Sequence, residues 1–119
     1  MTVRRALFAT TAWTLLVGVV AQVTLAGLAL FELTDWVAHT ALGWILPLAA
    51  IVLVVVTFVA RLDRRTLWVT LALALTANVQ PSLAEARSVA PLVAALHPVN
   101  ALVVFWLALV VAHRSLEPD

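Results

Sequence analysis

The chain has 119 residues, of which 65% are hydrophobic and only 11% are charged, and its formal net charge is +1. A soluble domain of this length cannot bury so much apolar surface, so a mean hydropathy of +1.12 indicates a protein solvated by lipid. The small net charge, without basic patches interleaved with aromatics, argues against a nucleic-acid partner. The absence of cysteine excludes disulfides, thiolate metal sites and cysteine nucleophiles.

Four apolar runs, separated by short charged groups, predict four transmembrane helices. Each run is near or above the roughly 20 residues that a helix needs to cross the hydrocarbon of a bilayer. We therefore expect one all-α domain over residues 1–119, an up-down four-helix membrane bundle with helices at about 6–31, 36–60, 66–84 and 91–112. The first apolar stretch is longer than a usual signal-peptide core, so we interpret it as the first helix.

The arginines predict how this bundle is oriented. Arg87 lies on one side of the predicted topology with Glu32, Asp35 and Glu85, and six arginines lie on the other side: Arg4, Arg5, Arg61, Arg64, Arg65 and Arg114. The positive-inside rule then places both chain ends in the cytoplasm. The use of arginine without lysine, with the excess of Ala, Val and Leu, favours a GC-rich genome, so we expect a multi-pass protein of a bacterial plasma membrane.

Only six glutamine, asparagine or histidine side chains lie within the predicted spans, and all six fall in the predicted outer half of the membrane. Such side chains are unfavourable in lipid, which makes each one a functional candidate. They are Gln22, His39, Asn78, Gln80, His97 and Asn100. Because successive helices run in opposite directions, glutamines near the ends of helices one and three should meet histidines near the starts of helices two and four.

The same polar residues form an internal repeat. Gln22 is followed 17 positions later by His39, and Gln80 is followed 17 positions later by His97. Both glutamines begin a Q-x-[ST]-L-A segment, and a small residue, Gly43 or Ala101, stands four positions after each histidine. We therefore predict two related helical hairpins.

The diagonal placement of helices two and four suggests a chemistry for the two histidines. Diagonal helices of an up-down bundle run in the same direction, so His39 and His97 should face each other across the core at equal depth. Two imidazoles opposed in this way can supply both axial ligands of one haem iron.

Five further residues complete this predicted haem b site. Gly43 and Ala101, one helical turn deeper than the histidines, would leave room for the flat macrocycle. Arg87 is the cation on the outer side that could pair with the propionates. Gln22 and Gln80 could hydrogen-bond the imidazole N–H groups or the propionates and so fix the orientation of the rings.

The arrangement of Gln22 and His39, repeated as Gln80 and His97, resembles the four-helix repeat of the haem A synthase family over about residues 15–112. Members of that family carry two such bundles, and one histidine pair near the outer face holds a haem b. This chain has one bundle, alanines at positions 26 and 84 in place of the usual glycine, no glutamate before His39, and no cysteine. The resemblance therefore implies a bundle that holds haem b rather than a synthase.

Three functions remain open at this point. The first is a b-type cytochrome that exchanges single electrons with a redox partner or a quinone on the extracytoplasmic side. The second is a cofactor-free accessory subunit of a larger membrane complex, or of a homo-oligomer, whose polar layer only fixes helix register. The third is a small transporter or quinone-binding protein, which is the least favoured because the spans contain no carboxylate for a proton relay.

Overall fold

The computed structural model describes residues 2–117, which form helices and the turns between them. The helices are α1 (Val3–Leu30), α2 (Val37–Val59), α3 (Arg64–Glu85), α4 (Pro91–Ala94) and α5 (Leu96–Arg114), with a 3-10 helix at Ala86–Ser88. Within this part of the chain, four spans are long and apolar enough to cross a membrane: Val3–Leu30, Val37–Val59, Arg64–Ser88 and Pro91–Arg114. The predicted all-α membrane bundle is confirmed, and the chain is a multi-pass membrane protein.

The fourth span is divided into α4 and α5, where one continuous helix was expected. Pro98 has no N–H to donate to the carbonyl of Ala94, and its ring crowds that carbonyl, so the regular hydrogen-bond ladder is interrupted there. Ala95 nevertheless keeps helical dihedrals, with φ −63° and ψ −17°. The two helices therefore continue one another and cross as one span.

The turn after α1 is closed by a residue in the left-handed region. Glu32 has φ 59°, and the N–H of Leu33 donates to the carbonyl of Leu28 at 2.9 Å. Arg61, after α2, has φ 56°. This kind of cap satisfies carbonyls at the helix end and reverses the chain within a few residues. The spans are therefore antiparallel to their neighbours in sequence.

The four spans form a closed ring. Helix α1 packs against α2 and α5, and α3 packs against the same two helices, so α2 and α5 lie across one diagonal of the bundle. We call the end that carries Arg4, Arg5, Arg61, Arg64, Arg65 and Arg114 the arginine end. The opposite end, with Gln22, His39, Gln80 and His97, is the histidine end.

The two halves of the bundle are packed differently. The buried core occupies the arginine-end half, where its largest fully buried side chains are Phe8, Leu53, Leu73, Val111, Thr57 and Thr70. Towards the histidine end, most interior side chains are half-buried or exposed, and the buried ones include Ala29, Ala77 and Pro47. The tight half fixes the helices relative to one another, and the loosely packed half contains the polar layer.

Candidate functional site

The first hairpin is joined at the histidine end by a reciprocal pair of hydrogen bonds. The side-chain Nε2 of Gln22 donates to the main-chain oxygen of His39 at 2.9 Å. In return, Nδ1 of His39 lies 3.1 Å from the main-chain oxygen of Gln22. The two residues thus connect α1 to α2 through two side-chain-to-backbone bonds.

The second hairpin repeats this arrangement with nearly the same distances. Nε2 of Gln80 donates to the main-chain oxygen of His97 at 2.9 Å, and Nδ1 of His97 lies 3.0 Å from the main-chain oxygen of Gln80. These bonds connect α3 to α5. The predicted hairpin repeat is therefore present in the hydrogen bonding as well as in the sequence.

The hydrogen bonds determine which imidazole nitrogen carries the proton. A carbonyl oxygen can only accept, so Nδ1 of both His39 and His97 donates, and in the neutral imidazole the lone pair then lies on Nε2. The glutamine Nε2 lies 3.5 Å from the histidine Nε2 in each hairpin, which is the long limit of a hydrogen bond. Histidines that bind metals commonly donate their other N–H to a main-chain carbonyl in this way.

Two cavities adjoin the polar layer. One, of about 660 Å³, lies on the side of α1 and α5, and its wall includes Phe105. The other, of about 220 Å³, lies on the side of α2 and α3. Each of the two cavities is bordered by the same four side chains: Gln22, His39, Gln80 and His97. The structure thus brings the four predicted residues together around shared space.

Gly43 and Ala101 lie deeper, where they border a small cavity of about 50 Å³ together with both glutamines. Sequence reasoning assigned them the role of leaving room for a macrocycle. The structure gives Gly43 a nearer neighbour, because a Cβ added to it would lie 2.9 Å from Nε2 of Gln22. Its missing side chain therefore makes room for the glutamine amide that bonds His39.

Arg87 lies in the 3-10 helix that follows α3 and is exposed. It borders the 220 Å³ cavity, as do both histidines and Glu85. The predicted cation is thus at the histidine end and reaches the same cavity as the two imidazoles. Glu85 beside it was not part of the predicted site, and it reduces the positive charge of that wall.

The two hairpins differ at one position. Asn100 donates from Nδ2 to Oε1 of Gln80 and to the main-chain oxygen of Thr76, the latter at 2.9 Å. The equivalent position in the first hairpin is Leu42, and Oε1 of Gln22 is buried without a hydrogen-bond partner among residues 2–117. Sequence reasoning missed this unpaired oxygen, although aligning the two repeats places Leu42 opposite Asn100.

Asn78, the remaining polar candidate, and His113 border neither the 660 Å³ cavity nor the 220 Å³ cavity. Asn78 donates to the main-chain oxygen of Ala74 at 2.8 Å and contacts that of Pro47 at 3.4 Å, which connects α3 to α2. His113 lies at the arginine end, with its ring centroid 6.3 Å from that of Trp13. The third histidine is therefore remote from the other two.

The donor set is unsuited to a bare metal ion. Over residues 2–117, no group of three or more His, Asp or Glu side chains is placed to hold one. The histidine end offers two imidazoles. Such a pair is sufficient for a macrocycle that brings its own in-plane nitrogen ligands and needs only axial ones.

Comparison with known proteins gives one family match. Residues 22–87, more than half of the chain, match the model described as a family of unknown function, DUF6220. The matched segment contains Gln22, His39, Gln80 and Arg87 and ends before His97. No curated protein and no solved structure has significant similarity to the chain.

Proposed function

The chain belongs to the DUF6220 family, and for this member we propose that the histidine end binds one haem b through His39 and His97 and exchanges single electrons at the membrane surface. In this proposal the protein lies in a bacterial plasma membrane, with both chain ends in the cytoplasm and the histidine end at the extracytoplasmic face. The distribution of the arginines supports that orientation.

The observation that carries the proposal is the identical hydrogen bond at Nδ1 of both histidines. A main-chain carbonyl that accepts from Nδ1 selects the neutral tautomer in which the lone pair of His39 and of His97 lies on Nε2, the nitrogen that would bind iron. Each of these hydrogen bonds joins two helices, and it therefore sets the depth of the imidazole ring in the bundle.

The surroundings of the two rings support the same proposal. They lie on the diagonal helices α2 and α5, and both border the cavities of about 660 and 220 Å³. The loose packing of this half leaves interior space beside the two rings. The resemblance of the Gln–His repeat to one bundle of the haem A synthase family points to the same ligand.

The chain's own residues would determine what such a cofactor can do. Bound haem supplies one-electron chemistry, and two histidine ligands leave no open coordination position, which favours electron transfer over oxygen chemistry. Gln22 and Gln80 hold the histidine backbones in place, and Arg87 provides positive charge for the propionates. The electron partner would be a quinone or a protein on the extracytoplasmic side, within a larger complex or an assembly of copies of the chain.

A second candidate function is supported by the hydrogen bonds that each histidine already makes with its glutamine. Both histidines already have hydrogen-bond partners within their own hairpins, so they can act as interhelical fasteners without any ligand. The protein would then be a cofactor-free accessory subunit of a larger membrane complex.

An optical spectrum of protein purified after haem was supplied during expression tests both functions. We expect sharp α and β bands on dithionite reduction for the wild type and for His113→Ala, a matched control that removes the histidine of the arginine end. His39→Ala and His97→Ala should each lose the six-coordinate spectrum while circular dichroism shows retained helix. Full haem retention in both variants would refute the ligand assignment, and a colourless wild-type protein would support the accessory subunit.

A further inference from the structure

The arginine end contains a cavity of about 800 Å³. It lies between the start of α1, the turn from α2 to α3, and the end of α5. Four arginines from these three places line it: Arg4, Arg5, Arg61 and Arg114. Guanidinium groups from distant parts of the sequence thus converge on one space.

Two acidic residues, against four arginines, border this cavity in the described part of the chain, so its positive charge is only partly offset. Asp63 also borders it, but its carboxylate caps α3 by accepting hydrogen bonds from the backbone of Arg65 and Thr66 and from the hydroxyl of Thr66. Its pKa is lowered chiefly by the Thr66 side-chain bond. Nη1 of Arg114 lies 3.9 Å from the Asp63 carboxylate. Glu117 is the other acidic residue at the cavity wall.

Two of the arginines keep their charge available. Among residues 2–117, Arg4 and Arg61 form no ion pair, and both are exposed at the cavity mouth. Arg114, by contrast, is only 13% exposed and donates to the hydroxyl of Thr66 at 3.1 Å. The cavity wall therefore contains one arginine that is held in place, Arg114, and two exposed arginines, Arg4 and Arg61, whose side chains can turn towards a bound anion.

We propose that this cavity binds the phosphate of an anionic membrane lipid headgroup. Arginine matches phosphate with two parallel hydrogen bonds, which a single lysine cannot offer. Since water occupies about 30 Å³ per molecule in the liquid, the cavity has room for a headgroup larger than phosphate alone. It also lies at the ends of the membrane spans, which is the level of the lipid headgroups.

The apolar part of the cavity wall favours a lipid over a free anion. Val3 and Leu62 line it together with the arginines, and such side chains can contact the glycerol and the first carbons of the acyl chains. The positive-inside rule needs arginines only at one end of the spans, and it does not require them to line a common cavity. Arg64 and Arg65 belong to the same end of the bundle and do not line it.

This difference provides a matched pair of variants. Arg4→Gln with Arg61→Gln removes two arginines from the cavity, and Arg64→Gln with Arg65→Gln removes the same charge from the same end of the protein. Thermal unfolding of each full-length variant in neutral detergent would be measured with added phosphatidylglycerol, phosphatidylcholine or inorganic phosphate.

We expect phosphatidylglycerol to stabilise the wild type and the Arg64/Arg65 variant, with an apparent affinity that falls about thirtyfold in the Arg4/Arg61 variant. That factor corresponds to about 1 kcal/mol for each arginine at a membrane surface. If the Arg4/Arg61 double variant does not fold, the two single variants should each show a loss of about fivefold.

Three results would overturn the proposal. The first is an equal loss in both double variants, which would indicate only general surface charge. The second is equal stabilisation by phosphatidylcholine, which has no net charge. The third is full stabilisation by inorganic phosphate alone with no further effect of lipid, which would indicate a site for a free anion.

Discussion

The side-chain amide of Asn100 donates a hydrogen bond to Oε1 of Gln80, and the first hairpin has no counterpart of this bond because Leu42 occupies the equivalent position. Oε1 of Gln22 is consequently buried without a partner in the described chain. A buried acceptor left unpaired destabilises a fold by about 1–3 kcal/mol. The two hairpins are therefore alike in their Gln–His bonds and unlike in how completely their glutamines are satisfied.

Replacing Leu42 with asparagine should repair the first hairpin. Leu42→Asn would give Gln22 Oε1 a donor and could use the main-chain oxygen of Gly18, which corresponds to that of Thr76, as its second acceptor. We expect the free energy of unfolding to rise by about 1 kcal/mol. The measurement is unfolding of the purified protein by a denaturing detergent, followed by circular dichroism.

The reverse substitution serves as the control. Asn100→Leu would leave Gln80 Oε1 unpaired and should lower the free energy of unfolding by about 1–3 kcal/mol. If Leu42→Asn destabilised the protein as much as Asn100→Leu does, the unpaired oxygen of Gln22 would not be a weakness of the first hairpin.

Gly43 should tolerate no side chain without loss of a hydrogen bond. In Gly43→Ala the new Cβ would lie 2.9 Å from Nε2 of Gln22, so the flexible amide would have to move away from the main-chain oxygen of His39. Gly27→Ala is the matched control, since nothing lies within 4 Å of its added Cβ. Alanine is favoured over glycine in a helix by about 1 kcal/mol. We expect Gly27→Ala to stabilise the protein in detergent unfolding and Gly43→Ala not to. Equal stabilisation by the two substitutions would show that the Gln22 amide can accommodate the added Cβ without losing its hydrogen bond.

The sequence was sufficient to predict the number of spans and the residues that meet at the histidine end. Both predictions rest on the large free-energy penalty of placing polar groups in lipid. The few Gln and His residues of the spans are therefore expected to face one another inside the bundle. The spacing of 17 between each glutamine and its histidine also fixed a common depth, because a short turn joins the two antiparallel helices.

Other features depend on atomic geometry that spacing does not determine. The sequence left open whether the glutamine side chains meet the imidazole N–H, and the structure shows the main-chain carbonyls of Gln22 and Gln80 in that position. The division of the fourth span near Pro98 was likewise not predicted, because proline is often accommodated in membrane helices. Rotamers and local backbone geometry decide such details.

Asp63 makes stability dependent on pH at the arginine end. Hydrogen bonds from Thr66 hold the pKa of this carboxyl below its ordinary value, so the folded state favours the charged form. That contribution to stability is complete above the ordinary pKa and is lost as the pH falls through the lowered one. Unfolding measured between about pH 6 and about pH 2 should therefore show a steeper loss for the wild type than for Asp63→Asn.

The Asp63→Asn variant also distinguishes the effect of the Asp63 charge from the effect of its side chain as a helix cap. Asparagine caps helices about as well as aspartate, so Asp63→Asn should keep most of the stability at neutral pH, whereas Asp63→Ala should lose about 1 kcal/mol. Identical pH profiles for the wild type and Asp63→Asn would exclude Asp63 as the group responsible.

The two glutamines should differ when each is replaced by leucine. Gln22→Leu removes one short bond, to the main-chain oxygen of His39, and also removes the unpaired oxygen. Gln80→Leu removes the bond to His97 and the bond from Asn100. Since an interhelical bond in a membrane contributes about 0.6 kcal/mol and an unpaired acceptor destabilises by at least about 1 kcal/mol, Gln80→Leu should be the more destabilising by about 1.6 kcal/mol. In both variants Nδ1 of the histidine keeps its main-chain acceptor, so, if His39 and His97 hold haem as proposed, the reduced spectrum should stay six-coordinate. Loss of that spectrum in a variant that still folds would mean that the glutamine side chain, rather than the carbonyl, orients the imidazole.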